Sequence, residues 1–78
     1  MSPFRIDFSQ NAQDRLKQRR ITRKDVRRCL IDGMICGVDI RGRKIKRLGF
    51  SKRFLEVVYL ETANTIVIVT AYWKGIYL

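Results

Sequence analysis

The sequence predicts an α+β domain with the element order β-α-α-β-β-β-β, in which two helices pack on one face of an antiparallel sheet. Two observations predict this class. Apolar residues recur three or four positions apart between residues 10 and 32, and they then alternate or run continuously, as in strands, from 34 to 73. A chain of 78 residues has room for one domain, so residues 1–78 are interpreted as a single unit.

The first strand and the first helix follow from short local patterns. Phe4, Ile6 and Phe8 alternate with charged residues, which is typical of an amphipathic strand. Ser9 is placed to cap a helix over residues 10–19, because its side chain can accept a bond from a free amide of the first turn.

The second helix has clear signals at both ends. The run 22–25 matches a capping box, in which Thr22 holds the amide of Asp25 and the Asp25 carboxylate returns the bond. The helix is expected to end near residue 32, with Gly33 in the left-handed conformation. Its buried stripe is predicted to consist of Val26, Cys29 and Leu30.

Four strands are predicted after Gly33, over residues 34–40, 44–50, 54–61 and 65–73. The last two are nearly continuous runs of β-branched and aromatic residues, which are typical of the middle of a sheet. We expect an antiparallel meander with the first strand at one edge and with the face away from the helices partly open. Cys29 and Cys36 are interpreted as small core residues, since two thiols are too few for a four-ligand zinc site.

The charge of the chain indicates an anionic partner. There are 17 Lys and Arg against 7 Asp and Glu, and the net charge of +10 destabilises the compact state by self-repulsion. No apolar run approaches the length of a membrane span, and the first residues lack the layout of a signal peptide. A cytoplasmic protein that binds RNA or a ribonucleoprotein, and no membrane, is therefore predicted.

The positive charge is concentrated in two clusters, residues 15–28 and 41–53, although many single cations in them are expected to be only solvated surface charges. An exposed aromatic side chain at residue 59, 72, 73 or 77 could stack on a base, but Tyr59 and one of Tyr72 and Trp73 are expected in the core. The residues predicted to contact nucleic acid are Arg15, Arg19, Arg20, Arg23, Arg27, Arg41, Arg43, Lys44, Lys52 and Arg53.

Most catalytic chemistries lack their residues here. The chain has no histidine, its glycines form no phosphate-binding loop, and its few carboxylates show no spacing for a metal pair. No cofactor and no metal are expected. RNA cleavage would have to use the RNA's own 2′-hydroxyl, with Arg and Lys stabilising the phosphorane and a Tyr, Lys or Glu moving protons.

Residues 11–26 resemble a signature of short bacterial and phage proteins that carry a domain of unknown function. In those proteins His-Ala is followed by an Arg, a hydrophobic residue, Arg-Gly-Ile and an acidic-Val pair, and the chain ends in a strand that resembles residues 66–72. They are similar to the BrnT toxins and, more distantly, to the RelE/ParE toxin superfamily. Two positions differ, because Asn11 stands where the family has histidine and Arg20 where it has glycine.

The resemblance implies a RelE-like fold and a toxin-like RNA-binding protein, acting as a metal-independent endoribonuclease, free or on the ribosome, and neutralised by an acidic antitoxin. Its basic sheet face would include Lys46, Arg47 and Tyr72 as catalytic residues, beside Arg15 and Arg19. The histidine replaced by Asn11 leaves an alternative open: a non-catalytic module that binds RNA, DNA or a ribonucleoprotein, such as a phage-encoded inhibitor.

Overall fold

Seven elements follow one another in residues 5–75, the part of the chain that the computed structural model describes, in the predicted order. Phe4, predicted in the first strand, and Tyr77, a candidate stacking ring, lie outside these residues. Within them, no helix is long and apolar enough to cross a membrane. The elements are β1 (Arg5–Phe8), α1 (Gln10–Gln18), α2 (Arg23–Asp32), β2 (Met34–Val38), β3 (Lys44–Phe50), β4 (Arg53–Glu61) and β5 (Thr65–Gly75).

The five strands form one sheet in the order β1-β5-β4-β3-β2. Strands β2 to β5 are the predicted antiparallel meander, and β1 lies at its edge as expected. The sheet is nevertheless mixed, because β1 pairs parallel with β5, with Ile6 beside Ile66 and Phe8 beside Ile68. The expectation of an all-antiparallel sheet is therefore wrong for β1. The two helices carry the chain from β1 to β2 at the opposite edge, and β5 comes to lie beside β1 only at the end of the meander.

Both helices pack on one face of the sheet, as predicted, with α1 against β5 and α2 against β3 and β4. Tyr59 is buried and Trp73 packs against the core, so Tyr72 is left on the opposite face. We call that opposite side the open face. The core consists of Ala12, Leu16, Ile21, Val26, Cys29, Leu30, Leu55, Val57, Tyr59, Ile68 and Ala71.

The predicted helix caps are present. The Ser9 hydroxyl accepts a bond from the Ala12 amide at 3.1 Å. At the start of α2 the Asp25 amide donates to the Thr22 hydroxyl at 3.0 Å, and the Thr22 amide donates to the Asp25 carboxylate at 3.2 Å. Each bond satisfies an amide that has no partner inside its helix, which is why the two helices begin at these residues.

Two expectations around α2 need correction, the conformation of Gly33 and the burial of Cys36. Gly33 has φ −77° and ψ 169°, so it is extended and not left-handed. A side chain there would collide with the Cys29 carbonyl and approach the Arg47 carbonyl to 2.9 Å, so close packing is what requires glycine. Cys29 is buried as expected, and burial raises the pKa of its thiol to about 11. Cys36, however, is exposed.

Strand β2 is shorter and more exposed than predicted. It ends at Val38, and a bulge interrupts its pairing with β3 between Ile35 and Gly37. Met34, Val38 and Ile40, whose alternation predicted a half-buried strand, are all exposed. The reason is position, because the helices cover β3, β4 and β5 while β2 lies beyond them at the sheet edge.

Replacing Gly33 should destabilise the protein. In Gly33→Ala the new methyl group meets two backbone carbonyls that cannot move without shifting α2 or β3. We expect the free energy of unfolding to fall by about 1–3 kcal/mol, measured by urea denaturation. Gly75→Ala is the matched control, because a side chain at residue 75 meets nothing within 4 Å. Equal losses in the two variants would contradict a packing role for Gly33.

Candidate nucleic-acid interface

A row of polar side chains crosses the open face of the sheet. Arg47 of β3 lies opposite Glu56 of β4, and Glu56 lies opposite Tyr72 of β5. One step closer to the β3–β4 turn, Phe54 lies opposite Lys74. Since directly paired residues share a face, the strand register brings all five side chains to one side.

Glu56 is the centre of this row and is only 3% exposed. Its Oε2 accepts bonds from Arg47 Nε at 2.8 Å and Nη2 at 2.6 Å, and Lys74 Nζ lies 3.7 Å from Oε1. Burial alone would raise the pKa of Glu56, but the bonds from Arg47 and Tyr72 and the nearby positive charges lower it instead. Burial and the hydrogen bond with Glu56 raise the pKa of Tyr72.

These shifts define the chemistry of the row at neutral pH. Glu56 is an ionised carboxylate with both oxygens beside cations, and Tyr72 is a neutral phenol. The two cations exceed the one carboxylate, so the row keeps a net positive charge that an incoming phosphate can meet. Glu56 is poorly placed to accept a proton, because its oxygens already hold Arg47 and Lys74.

The three residues predicted to be catalytic do not share a face. Arg47 and Tyr72 belong to the open-face row, but Lys46 points to the helix side, paired with the buried Val57. Its Nζ donates to the Leu30 carbonyl at 2.6 Å, near the end of α2, where a cation is favourable. Neighbouring residues in a strand face opposite sides, and this separates Lys46 from the other two.

On the helix side, a cleft of about 430 Å³ opens at the same end of the sheet. Arg53 lies over the Trp73 ring, with its guanidinium carbon 3.8 Å from the ring centre. Phe50 meets Trp73 edge to face at 5.5 Å, and Arg28 lies 5.7 Å above Phe50. The cleft is lined by Arg20, Asp25, Phe50, Ser51, Lys52, Arg53 and Trp73.

Two strained residues border this cleft. Among residues 5–75 the non-glycine residues with positive φ are Arg20, at 56°, and Ser51, at 48°. Each such conformation costs about 1–2 kcal/mol in a residue with a side chain. Arg20 follows the end of α1. The Ile21 amide donates to the Leu16 carbonyl, and the Arg20 amide donates to the Lys17 carbonyl. A helix that ends with these two hydrogen bonds normally has glycine at the left-handed position, and this chain has the cation Arg20 there instead.

Trp73 is held in place by the end of α1. Its Nε1 donates to the Arg19 carbonyl at 3.1 Å, and the Arg19 guanidinium donates to the Ala71 carbonyl at 2.8 Å. Arg19 was predicted to contact nucleic acid. Its guanidinium instead donates hydrogen bonds to Thr70 and Ala71, which follow the residues of β5 that pair with β1. Its observed contacts are those of a residue that positions the Trp73 ring.

The open-face row and the cleft together wrap around one end of the sheet, and we call this the turn-end surface. Its cations stand beside aromatic rings: Arg47 lies 5.4 Å from the centre of Phe54, and Lys74 lies 5.9 Å from that of Tyr72. The surface comprises the cations Arg20, Arg28, Arg47, Lys52, Arg53 and Lys74 and the rings Phe50, Phe54, Tyr72 and Trp73.

The remaining predicted cations lie elsewhere. Arg41 is in the β2–β3 turn, at the opposite end of β3 from the turn-end surface, and next to it Arg43 is paired with Asp39. Lys44 is paired with Glu61 at 2.9 Å. The others lie on the helices: Arg15 is exposed on α1, Arg23 lies over the Phe8 ring, and Arg27 borders a second cleft with Tyr59 and Ile66.

Sequence reasoning missed Lys74, Phe50 and Phe54 as members of the surface. Their place in the surface depends on contacts between strands: Phe54 lies beside Lys74, and Phe50 packs on Trp73. Local sequence patterns do not show these contacts. Asn11, where the resemblance leads one to expect a histidine, is exposed near the start of α1. It lies at the other end of α1 from Arg20 and on the opposite side of the sheet from Tyr72.

Neutralising Glu56 should remove part of the acid sensitivity of folding. Because the pKa of Glu56 is lower in the folded chain than its ordinary 4.5, its stabilisation is present above pH 4.5 and is lost as the pH falls further. Glu56→Gln should cost about 1–3 kcal/mol at pH 7 and flatten the decline below pH 4.5, in urea unfolding at a series of pH values. Asp14→Asn, at an exposed carboxylate of α1 whose hydrogen-bond partner is the neutral Gln10, is the control; an unchanged acid decline in Glu56→Gln would contradict this role.

Comparisons with known proteins add a family. The model of the domain of unknown function DUF4258 matches residues 8–73, from the last residue of β1 to near the end of β5. Neither the search of curated proteins nor that of solved structures found a match. The matched region is most of the 78-residue chain, and it contains nearly all of the turn-end surface. The chain therefore belongs to the DUF4258 family.

Proposed function

We propose that the protein binds single-stranded RNA through the turn-end surface. One observation carries the proposal: four cations at this end of the sheet each stand beside an aromatic ring, with Arg53 on Trp73 at 3.8 Å as the closest pair. Proteins that bind single strands combine a basic path for the phosphates with rings on which bases stack. The net charge of +10 supplies the long-range attraction.

The geometry favours a single strand over a duplex. The rings of the surface lie on strands and turns at the end of the sheet, and stacking on them requires bases that are not already stacked and paired. The cations follow the same path, from Lys74 and Arg47 on the open face, past Lys52 in the turn, to Arg20 in the cleft. Phosphates on one strand can follow this path around the sheet end.

The binding proposal is tested by the salt dependence of affinity. Arg20→Gly, Lys52→Gln and Arg53→Gln, alone and together, remove cleft cations, and Arg20→Gly also relieves the positive φ. For a fluorescent oligouridylate measured by anisotropy, we expect weaker binding and a log–log salt slope reduced by about 0.7 for each lost phosphate contact.

Arg41→Gln, which removes one exposed charge at the opposite end of β3, is the matched control and should leave the slope unchanged. If Arg41→Gln weakens binding as much as the cleft variants do, the charge acts without a defined site. If the wild-type chain does not bind the oligonucleotide at low salt, the proposal fails.

A toxin-like ribonuclease is the second candidate, and the row formed by Arg47, Glu56 and Tyr72 is the observation that favours it. In that reaction the RNA's 2′-oxygen would bond to phosphorus as the 5′-oxygen leaves. Arg47 would stabilise the charged phosphorane, Glu56 would accept the 2′ proton, and Tyr72 would donate one to the leaving oxygen. The hold of Arg47 on Glu56 counts against this role. An acidic antitoxin would compete with RNA for the same cations.

Glu56→Gln separates the two candidates in one variant. If the surface only binds, losing the carboxylate frees Arg47 and Lys74, and RNA affinity should rise. If Glu56 is a catalytic base, cleavage of labelled RNA should be lost, as should growth arrest on expression. Binding and cleavage are scored separately, with and without ribosomes, and Tyr72→Phe tests the proposed proton donor. Absence of cleavage by the wild-type chain in both settings would exclude the ribonuclease.

A further inference from the structure

The exposed apolar side chains of the protein are concentrated at one edge of the sheet. Six large apolar residues are prominently exposed among residues 5–75, and five of them lie between positions 31 and 40. Met34 is 77% exposed, and Ile40 is fully exposed. Exposed apolar side chains concentrated in one short segment of a small, highly charged protein are typical of a surface that is covered by a partner. The five residues are Ile31, Met34, Ile35, Val38 and Ile40.

Strand β2 presents this patch along a free sheet edge. Within residues 5–75 no strand pairs with its outer side, so its outward amides and carbonyls can accept another strand. Edge strands are usually protected by charged residues or proline, but residues 33–38 contain neither. The apolar side chains lie on both faces, since Met34 is paired with Arg47 and Ile35 with Lys46. The bulge after Ile35 is the one protective feature.

We propose that two copies of the chain associate through β2, pairing antiparallel about a two-fold axis. The two five-stranded sheets would join into one continuous sheet. Because that axis is perpendicular to the sheet, both open faces would lie on the same side and all four helices on the other. The proposal concerns the edge alone, so it stands or fails independently of RNA binding at the turn-end surface.

Local charge favours a second copy over an acidic partner. Residues 29–40 contain no lysine or arginine and include Asp32 and Asp39, although the whole chain carries +10. Asp32 and Asp39 are paired with Arg28 and Arg43, so residues 29–40 offer an acidic strand no cation of their own. Self-association at β2 brings together a segment without cations, and the cations of β3 beside it are engaged by Glu61, the Leu30 carbonyl and Glu56. Cations farther away are screened over about 8 Å at physiological ionic strength.

The bulge gives the pairing a centre. In an antiparallel pair centred on Cys36, the exposed thiols of the two copies lie next to each other. Met34 then borders the contact on the open face, and Ile35 and Val38 border it on the helix side. No pair of like charges is directly opposed within residues 33–38.

Sedimentation equilibrium over micromolar to near-millimolar protein tests this. We expect the wild-type mass to rise twofold from 9.2 kDa, and no further, as concentration increases. Ile35→Lys places a charge on the edge and should keep the chain monomeric. Leu60→Lys is the matched control, because Leu60 is also exposed but lies on β4, and it should still dimerise. Circular dichroism confirms that both variants are folded.

Cys36 gives a second readout, since it is the exposed thiol and Cys29 is buried. Mild oxidation of the dimer should give a covalent dimer, lost in Cys36→Ser, whose sedimentation should remain that of the wild type. A chain that stays monomeric at the highest concentration overturns the proposal and leaves the edge to a different protein. A dimer that persists in Ile35→Lys, growth beyond two copies, or no cross-link through Cys36 would also overturn it.

Discussion

Strand β4 lies at the centre of the sheet and is buried on both of its faces, and the rest of the structure depends on this. Leu55, Val57 and Tyr59 point to the helices and form the floor of the core. Between them, Glu56 and Val58 point the other way and are also buried. Because successive residues of the strand face opposite sides, β4 contributes to an apolar core on one face and buries a carboxylate on the other.

The covered carboxylate explains how so basic a chain can keep cations on its open face. Removing a carboxylate from water is unfavourable unless hydrogen bonds and opposite charges replace the water. Arg47 and Lys74 provide both for Glu56, and Glu56 in turn holds them at fixed positions on the sheet. The carboxylate thus relieves the repulsion between these two cations. The binding proposed for this face and the stability of the sheet would therefore both depend on Glu56.

Backbone strain and exposed apolar side chains both occur at positions where they do not stabilise the fold. Arg20 and Ser51 adopt positive φ at the two turns beside the Trp73 cleft, and each keeps a side chain where glycine would be more stable. Strand β2 leaves apolar side chains in solvent at the sheet edge. Such departures from the most stable choice are typical of surfaces that contact other molecules. They occupy two separate regions, which is why we propose two separate interactions.

Much of the fold could be predicted because its signals are local. The caps at Ser9 and Thr22, the change of period after Gly33 and the four-strand meander depend on residues a few positions apart. The parallel pairing of β1 could not be predicted, since its partner β5 lies some sixty residues away. The half-buried alternation expected for residues 34–40 was wrong for a similar reason, because the pattern shows a strand but not whether helices cover it.

For the candidate site, the sequence by itself determined the charge, the absence of histidine and the alternation that sets Arg47 apart from Lys46. Only the tertiary structure decided which cations work together. Register placed Arg47, Glu56 and Tyr72 in one row, and packing set Arg53 on Trp73, while Arg43 and Lys44 were paired with acids at the other end. Charges are read from composition, but the distances between them depend on contacts between residues far apart in the chain, and electrostatic energies follow those distances.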